Sequence, residues 1–280
     1  MADANIAARP ARREDMPRLL QIEKAAMPSL QYLAGVEDLF FDTSNGELVV
    51  VEVDGVPAGF GRITVQPDLS AWFETARVDP AMQKMGVGAA LWERRMAIAN
   101  KLELIAVRMY TTFENEGSKK LGYRNKLDIA MHAREYSLPL ADVAPPAAPA
   151  FAQVTDPDEA DAALLPYVLD YKGYYIANRT FYAANPATTA ALAKEGKVYA
   201  GGGSAMVCGS RYLHRSALHF GLMGGNLDDC ISFAIAKGKE QGVPKVVTMI
   251  DKDDEKRAAA LTARGFVMAP SNIIMMERML

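Results

Sequence analysis

The run from Glu47 to Val65 constrains the fold most: two stretches rich in β-branched residues, Glu47–Val53 and Val56–Val65, are broken only by Asp54-Gly55. Such a dipeptide accepts the left-handed backbone that a two-residue hairpin turn demands, so the run is read as two antiparallel strands. Downstream the period changes. Trp72–Val78 reads as a strand and Asp79-Pro80 as a turn, followed by a glycine-bearing segment that opens a helix lasting until about Lys101. The apolar stripe of that helix, Val87, Leu91, Ile98 and Leu102, widened by Trp92, Met96 and Ala99, must face a sheet. Leu104–Tyr110 is a further strand, and upstream stand a strand at Ile6–Arg9, an amphipathic helix over 12–26 and a second helix over Gln31–Phe41. The order predicts an α/β fold of the α+β, mixed-sheet kind, in which a βα crossover is attached to an antiparallel meander.

The order then repeats. Leu138–Ala150, LPLADVAPPAAPA, is dense in Pro and Ala and reads as a semi-rigid linker. Beyond it come a strand at Phe151–Val154, helical patterns over 157–171 and 187–195, strands at Lys197–Ala200, Ser204–Gly209 and His214–Leu222, a helix over Asn226–Gln241 and a strand at Lys245–Ile250. A chain of 280 residues accommodates two such domains. The expected division is 1–137 and 151–280, joined by a linker over 138–150, each domain a mostly antiparallel mixed sheet flanked by helices. Tyr167, Tyr171, Tyr174 and Tyr175 recur at helical spacing near Phe181 and Tyr182. That spacing is read as a packed helix face, with a wall of an acceptor pocket between the domains as the alternative.

Charge narrows the function classes. A formal net charge of -3 with no Lys/Arg-rich stripe lacks the electrostatic footprint of nucleic-acid binding. The short polar stretch Met1–Ala8 reads as neither a secretory signal nor a membrane anchor, which implies a cytoplasmic location. Cys208 and Cys230 stand among apolar or small residues and are read as reduced, structural thiols; His132, His214 and His219 have no metal-ligand spacing around them.

The segment Gln83-Lys84-Met85-Gly86-Val87-Gly88 lies where a strand gives way to a helix. The first N–H groups of a helix have no internal acceptor, and the helix dipole adds partial positive charge there. Glycines at 86 and 88 remove the Cβ atoms that would hold a diphosphate off those amides, and Lys84 adds a mobile cation. A P-loop is not formed, because no Gly-Lys-Ser/Thr follows, and a dinucleotide fingerprint is not formed, because a hairpin meander precedes the strand.

Here the chain resembles the GNAT superfamily of acyl-CoA-dependent N-acetyltransferases, whose Gln/Arg-x-x-Gly-x-Gly/Ala signature is matched by Gln83, Gly86 and Gly88. Glu74–Pro80, ETARVDP, is similar to the family's splayed fourth strand, and Asn115 with Leu121, Gly122 and Tyr123 is similar to its later Asn...Leu-Gly-Phe/Tyr segment; the resemblance covers about residues 5–137. It implies acetyl-CoA or another acyl-CoA as cofactor, with the backbone of Ala76, Arg77 and Val78 along the pantetheine. Gln83, Lys84, Met85, Gly86, Val87, Gly88 and Ala89 would hold the pyrophosphate, and Asn115 belongs to the same set.

The resemblance also implies a small-molecule amine or peptide as acceptor. Only Glu116–Lys120 stands between Asn115 and the Leu-Gly pair, so the family's usual tyrosine general acid has no counterpart there. Tyr110 and Tyr123 are the candidates to replace it, and Glu74 is the candidate base. The second loop, Leu222-Met223-Gly224-Gly225-Asn226-Leu227-Asp228-Asp229, lacks the Gln/Arg and carries two carboxylates in its first helical turn. The second domain is therefore read as a degenerate copy. Three functions stay open: an acetyltransferase, an acetyl-CoA-binding module without turnover that serves as a sensor or a partner-binding protein, and a paired scaffold that binds no CoA.

Overall fold

The computed structural model describes residues 4–147 and 149–280. Met1–Asp3 of the polar N-terminal stretch, and Ala148 of the Pro/Ala-rich segment, lie outside the described residues. The chain packs as two compact units, one of residues 1–109 with 278–280, the other of residues 110–277.

The first unit begins with β1 (Ile6–Pro10), α1 (Met16–Ala26), a short α2 (Glu37–Phe41), β2 (Gly46–Val53) and β3 (Val56–Val65), and continues with β4 (Ser70–Val78), α3 (Val87–Lys101) and β5 (Ala106–Thr112), whose last residues enter the second unit. The sheet order is β1-β2-β3-β4-β5, antiparallel except for the parallel β4–β5 pair. The hairpin turn forms where Asp54 and Gly55 adopt φ of 50° and 79°. Alternate residues of β2, Val49, Val51 and Val53, face α3 and form a buried cluster with Ala58, Val87 and Leu91. Two glycines bring the helix onto the sheet. A Cβ at Gly59 would stand 2.7 Å from Val87 Cγ1, and one at Gly61 3.1 Å from Leu91 Cδ2.

The second unit holds α4 (Glu116–Arg124), β6 (Asp128–Pro139), β7 (Ala152–Gln153), α5 (Pro157–Leu164), β8 (Tyr174–Ala177), β9 (Thr180–Ala183), α6 (Pro186–Lys194) and β10 (Val198–Gly201), then β11 (Ser204–Cys208), β12 (Leu218–Gly224), α7 (Leu227–Glu240), β13 (Lys245–Asp251), α8 (Glu255–Ala263), β14 (Val267–Met268) and β15 (Ile273–Met279). Its sheet runs β15-β6-β13-β12-β11-β10-β7, with the β12–β13 pair parallel. The long β6 ties distant segments together. Asp128–Ala133 pairs with Ile273–Glu277, while the remainder pairs with β13 and β14.

The packing units thus divide the chain elsewhere than the sequence repeat does, and Leu138 and Pro139 belong to β6 where the composition reads as linker. Three local readings need correction. The helix expected over Gln31–Phe41 begins only at Glu37, preceded by a 3-10 turn at Leu33–Gly35. The helical pattern over 157–171 changes at Pro166 into a 3-10 segment, Leu165–Tyr171, which Lys172 and Gly173 end in left-handed conformations. Tyr174 and Tyr175 then lie on a hairpin strand, β8; its turn uses Asn178 and Arg179 at φ of 50° and 59° and has no glycine to announce it.

Candidate functional site

The β4–β5 ladder pairs Ser70–Phe73 with Ala106–Met109, and β4 then continues as Glu74–Val78. Across from it on β3, Arg62 pairs with Glu74 and Phe60 with Arg77, so two residues, Thr75 and Ala76, oppose the single residue Gly61. This is a β-bulge. Thr75 sits at φ 57°, a strained conformation for a β-branched residue, and a 2.5 Å hydrogen bond between its hydroxyl and that of Tyr32 holds it. Ala76 is exposed. The bulge thereby bends the strand and leaves Ala76 at the surface, its carbonyl accepting from Arg77 Nη1 at 3.1 Å.

After β4, the Asp79 carboxylate accepts from Ala81 N–H and pairs with Arg18, which anchors the loop to α1. Gln83, Lys84 and Met85 are exposed, with Lys84 at φ 66°; Gly86, at φ 93°, takes the N-cap position of α3 with no side-chain cap. The N–H groups of Val87, Gly88 and Ala89 therefore begin the helix without an intrahelical acceptor. A Cβ at Gly88 would have no heavy atom within 4 Å. The cradle expected from the sequence is thus an uncapped helix start with open space before it, a place that fits a diphosphate.

The second unit contains the same junction, filled. The β12–β13 ladder pairs Leu218–Phe220 with Val246–Thr248, and a bulge follows at Leu222, φ 33°. By register, Leu222 corresponds to Thr75 and Met223 to Ala76. Met223 is fully buried: its N–H donates to Tyr171 Oη at 3.2 Å, and its carbonyl accepts from Arg257 Nε and Nη2 at 3.1 and 2.8 Å. The Tyr167 ring covers Gly224 so closely that a Cβ there would fall 2.0 Å from it. Asn226 caps α7 by accepting from the N–H groups of Asp228 and Asp229. In the second junction the protein's own side chains thus take up the Met223 N–H and carbonyl and the N–H groups of Asp228 and Asp229.

Glu74 is 4% exposed and accepts from Thr64 Oγ1 at 2.6 Å. Phe73, one residue earlier, points to the opposite face, against Trp92 and Arg95 of α3. The remaining candidates lie in the second unit. Asn115 is the N-cap of α4, accepting from Ser118 N–H; Tyr123, on the same helix, is 50% exposed. Tyr110 is half-buried and hydrogen-bonds to Arg179, whose guanidinium grips Glu135 with two 2.7 Å bonds. Glu135 and then Tyr110 hold Arg179 in its charged form. Burial lowers His219 to about 4, against the opposing pull of Glu135, while its Nδ1 accepts from Asn178 N–H at 3.3 Å. Burial also pushes the free thiols of Cys208 and Cys230 up to about 12, which leaves both unreactive.

Sequence reasoning missed Tyr32, Thr75, Arg95 and the strand glycines. Gly59-Phe60-Gly61 inside a β-branched run was the available signal, because glycine within a strand marks a bulge or a close approach. Among the described residues, no cluster of His, Cys, Asp or Glu could hold a metal, and no helix is long and apolar enough to cross a membrane.

Residues 16–123 match the acetyltransferase (GNAT) family. Curated protein sequences give no match. Among solved structures, a GCN5-related N-acetyltransferase from Sphaerobacter thermophilus aligns at 15% identity over 98% of this chain and 95% of that one, with a TM-score of 0.64. A tandem GNAT protein from the clavulanic acid biosynthesis pathway aligns at 13% identity over 98% of both chains, TM-score 0.60. A GCN5-related glucosamine N-acetyltransferase region of a fungal multi-domain beta-N-acetylglucosaminidase aligns at 11% identity over 99% of this chain and 38% of that one, TM-score 0.69. At these identities the likeness is one of fold, and it spans both halves of the chain.

Proposed function

We propose that this protein, whose residues 16–123 match the acetyltransferase (GNAT) family, transfers an acetyl or short acyl group from acetyl-CoA to an amine, with one cofactor site, in the first half. The observation that carries this reading is the contrast between the two junctions: uncapped and open at Gly86–Ala89, self-satisfied at Gly224–Asp229.

The residues divide the work by chemistry. The amides of Val87, Gly88 and Ala89 bind the pyrophosphate, and Lys84 neutralises it from the loop. The backbone of Ala76–Val78 offers strand-like hydrogen bonds to the pantetheine. Bound acetyl-CoA supplies an activated thioester. Glu74 lies at the end of the β4–β5 ladder and accepts the proton of the incoming amine, directly or through water; the Thr64 hydroxyl orients its carboxylate. Tyr110 and Tyr123 remain the two proposed alternatives for the donor to the departing thiolate. A cytoplasmic location and Asn115 as a cofactor contact remain part of the proposal.

The test is release of CoA thiol from acetyl-CoA in the presence of a mixed amine and peptide panel. Acceptor-dependent release supports the transferase. Binding of acetyl-CoA with no release for any acceptor identifies a sensor instead.

A further inference from the structure

Three arginines of the first unit are buried, and only two are satisfied. Arg62, fully buried, donates to Thr64 Oγ1, the carbonyls of Phe40 and Asp42, and Asn45 Oδ1. Arg108, 3% exposed, donates to Gln66, Asp68 and Ser70. Arg95 on α3 is 2% exposed, yet its one hydrogen bond among the described residues is a long one, 3.4 Å from Nε to the Leu91 carbonyl, and its Nη1 has no partner. It rests on the Phe73 ring, 4.4 Å from the centroid.

A buried cation with an unmet donor is a net cost to the fold, and apolar replacement of such a group is often neutral or stabilising. Burial is indeed felt: it lowers Arg95 to about 9, partly opposed by the Glu74 charge. The position of the free donor is informative. Nη1 lies 3.4 Å from where a Gly61 Cβ would stand, and that point is itself 3.4 Å from Ala76 Cα, the exposed residue of the β4 bulge. A second unmet guanidinium donor, Arg77 Nε, belongs to the next residue. Two donor atoms without acceptors, Arg95 Nη1 and Arg77 Nε, thus flank the bulge, while Arg77 Nη1 already donates to the Ala76 carbonyl at 3.1 Å. Phe73, under Arg95, is the residue at which the β4–β5 ladder stops.

We propose that Arg95 is a binding residue for a carbonyl oxygen of the acyl-pantetheine arm, held desolvated and unpaired beneath the β4 bulge until that oxygen arrives. The inference rests on the reading of the first half as the acyl-CoA site. A partly negative oxygen gains most from a donor already stripped of water, because no reorganisation is then required.

The experiment compares intact protein, Arg95→Met and Arg95→Lys by calorimetric titration with acetyl-CoA, CoA and 3′-phospho-ADP, alongside thermal melts. The expected result is a melting temperature for Arg95→Met at or above that of the intact protein, acetyl-CoA binding weakened at least tenfold, and 3′-phospho-ADP binding unchanged. Arg95→Lys keeps the charge without the fork and falls between the two. If CoA loses as much as acetyl-CoA, the oxygen is a pantetheine amide; if acetyl-CoA alone loses, it is the thioester. Unaltered acetyl-CoA affinity in Arg95→Met, or a clear drop in its melting temperature, overturns the inference while leaving the cofactor site standing. Absence of acetyl-CoA binding to the intact protein overturns the site itself, and the inference with it.

Discussion

Replacement of Gly88 by Glu should strengthen the fold while weakening the binding of acetyl-CoA. Gly88 is the second residue of α3, and a Cβ there meets no heavy atom within 4 Å, so the new side chain displaces nothing. Glycine is about 0.6–0.8 kcal/mol less favourable in a helix than Glu. A carboxylate in an uncapped first turn adds about 0.3–1 kcal/mol through the helix dipole. Gly88→Glu should therefore gain about 1–1.5 kcal/mol, which for a domain of this size raises the melting temperature by a few degrees. The same carboxylate occupies the diphosphate position and repels it, so acetyl-CoA should bind at least tenfold more weakly, a loss of about 1.4 kcal/mol or more. Thermal melts and calorimetric titration read the two effects separately. A variant that melts lower than the intact protein would show that the helix start is not free. One that binds acetyl-CoA within twofold of the intact protein would show that the diphosphate does not sit there.

Other outcomes follow from the same geometry. Gly59→Ala places a Cβ 2.7 Å from Val87 and 2.9 Å from the Arg77 carbonyl, and should cost about 1–3 kcal/mol in denaturant unfolding; a neutral substitution would mean that α3 does not pack on β3 as described. Tyr171→Phe removes the acceptor of the buried Met223 N–H and should cost about 1–3 kcal/mol without creating a second acetyl-CoA site by titration. His219 titrates at about 4 when folded against 6.5 when exposed, so the unfolded chain takes up its proton first as pH falls. Stability should be full above pH 6.5 and decline by roughly 3 kcal/mol between 6.5 and 4. Glu135, Arg179 and Lys245 are the charges that bear on it, and His219→Gln should flatten that part of the pH profile; an unchanged slope refutes the assignment.

The sequence made legible whatever rests on local backbone chemistry. Asp54-Gly55, the Gly86 loop and the Asn226 cap appear where spacing placed them, because each is fixed by φ or by a nearby side chain. The features that escaped depend on distant partners. The bulge at Thr75 needs Tyr32 across the unit, the hairpin at Asn178-Arg179 is held by Tyr212, His219 and Glu135, and β6 takes its pairing from strands more than a hundred residues away. Arg95 escaped for another reason. A charge at the edge of an apolar stripe reads as a solvated face, and burial against a carboxylate from a distant strand has no local signature. The packing of Tyr167, Tyr171 and Arg257 around Met223 and Gly224 was not foreseen, since the tyrosines carry a spacing that suits a helix as well.

The most direct test of the central claim is calorimetric titration of acetyl-CoA into the full chain, read for stoichiometry. One equivalent bound, and none after Gly86→Glu, is the predicted result, since only the junction at Gly86–Ala89 is open. Two equivalents would mean that the second junction opens to ligand despite its filling residues, and no binding at all would contradict the cofactor site from which the proposed transfer proceeds.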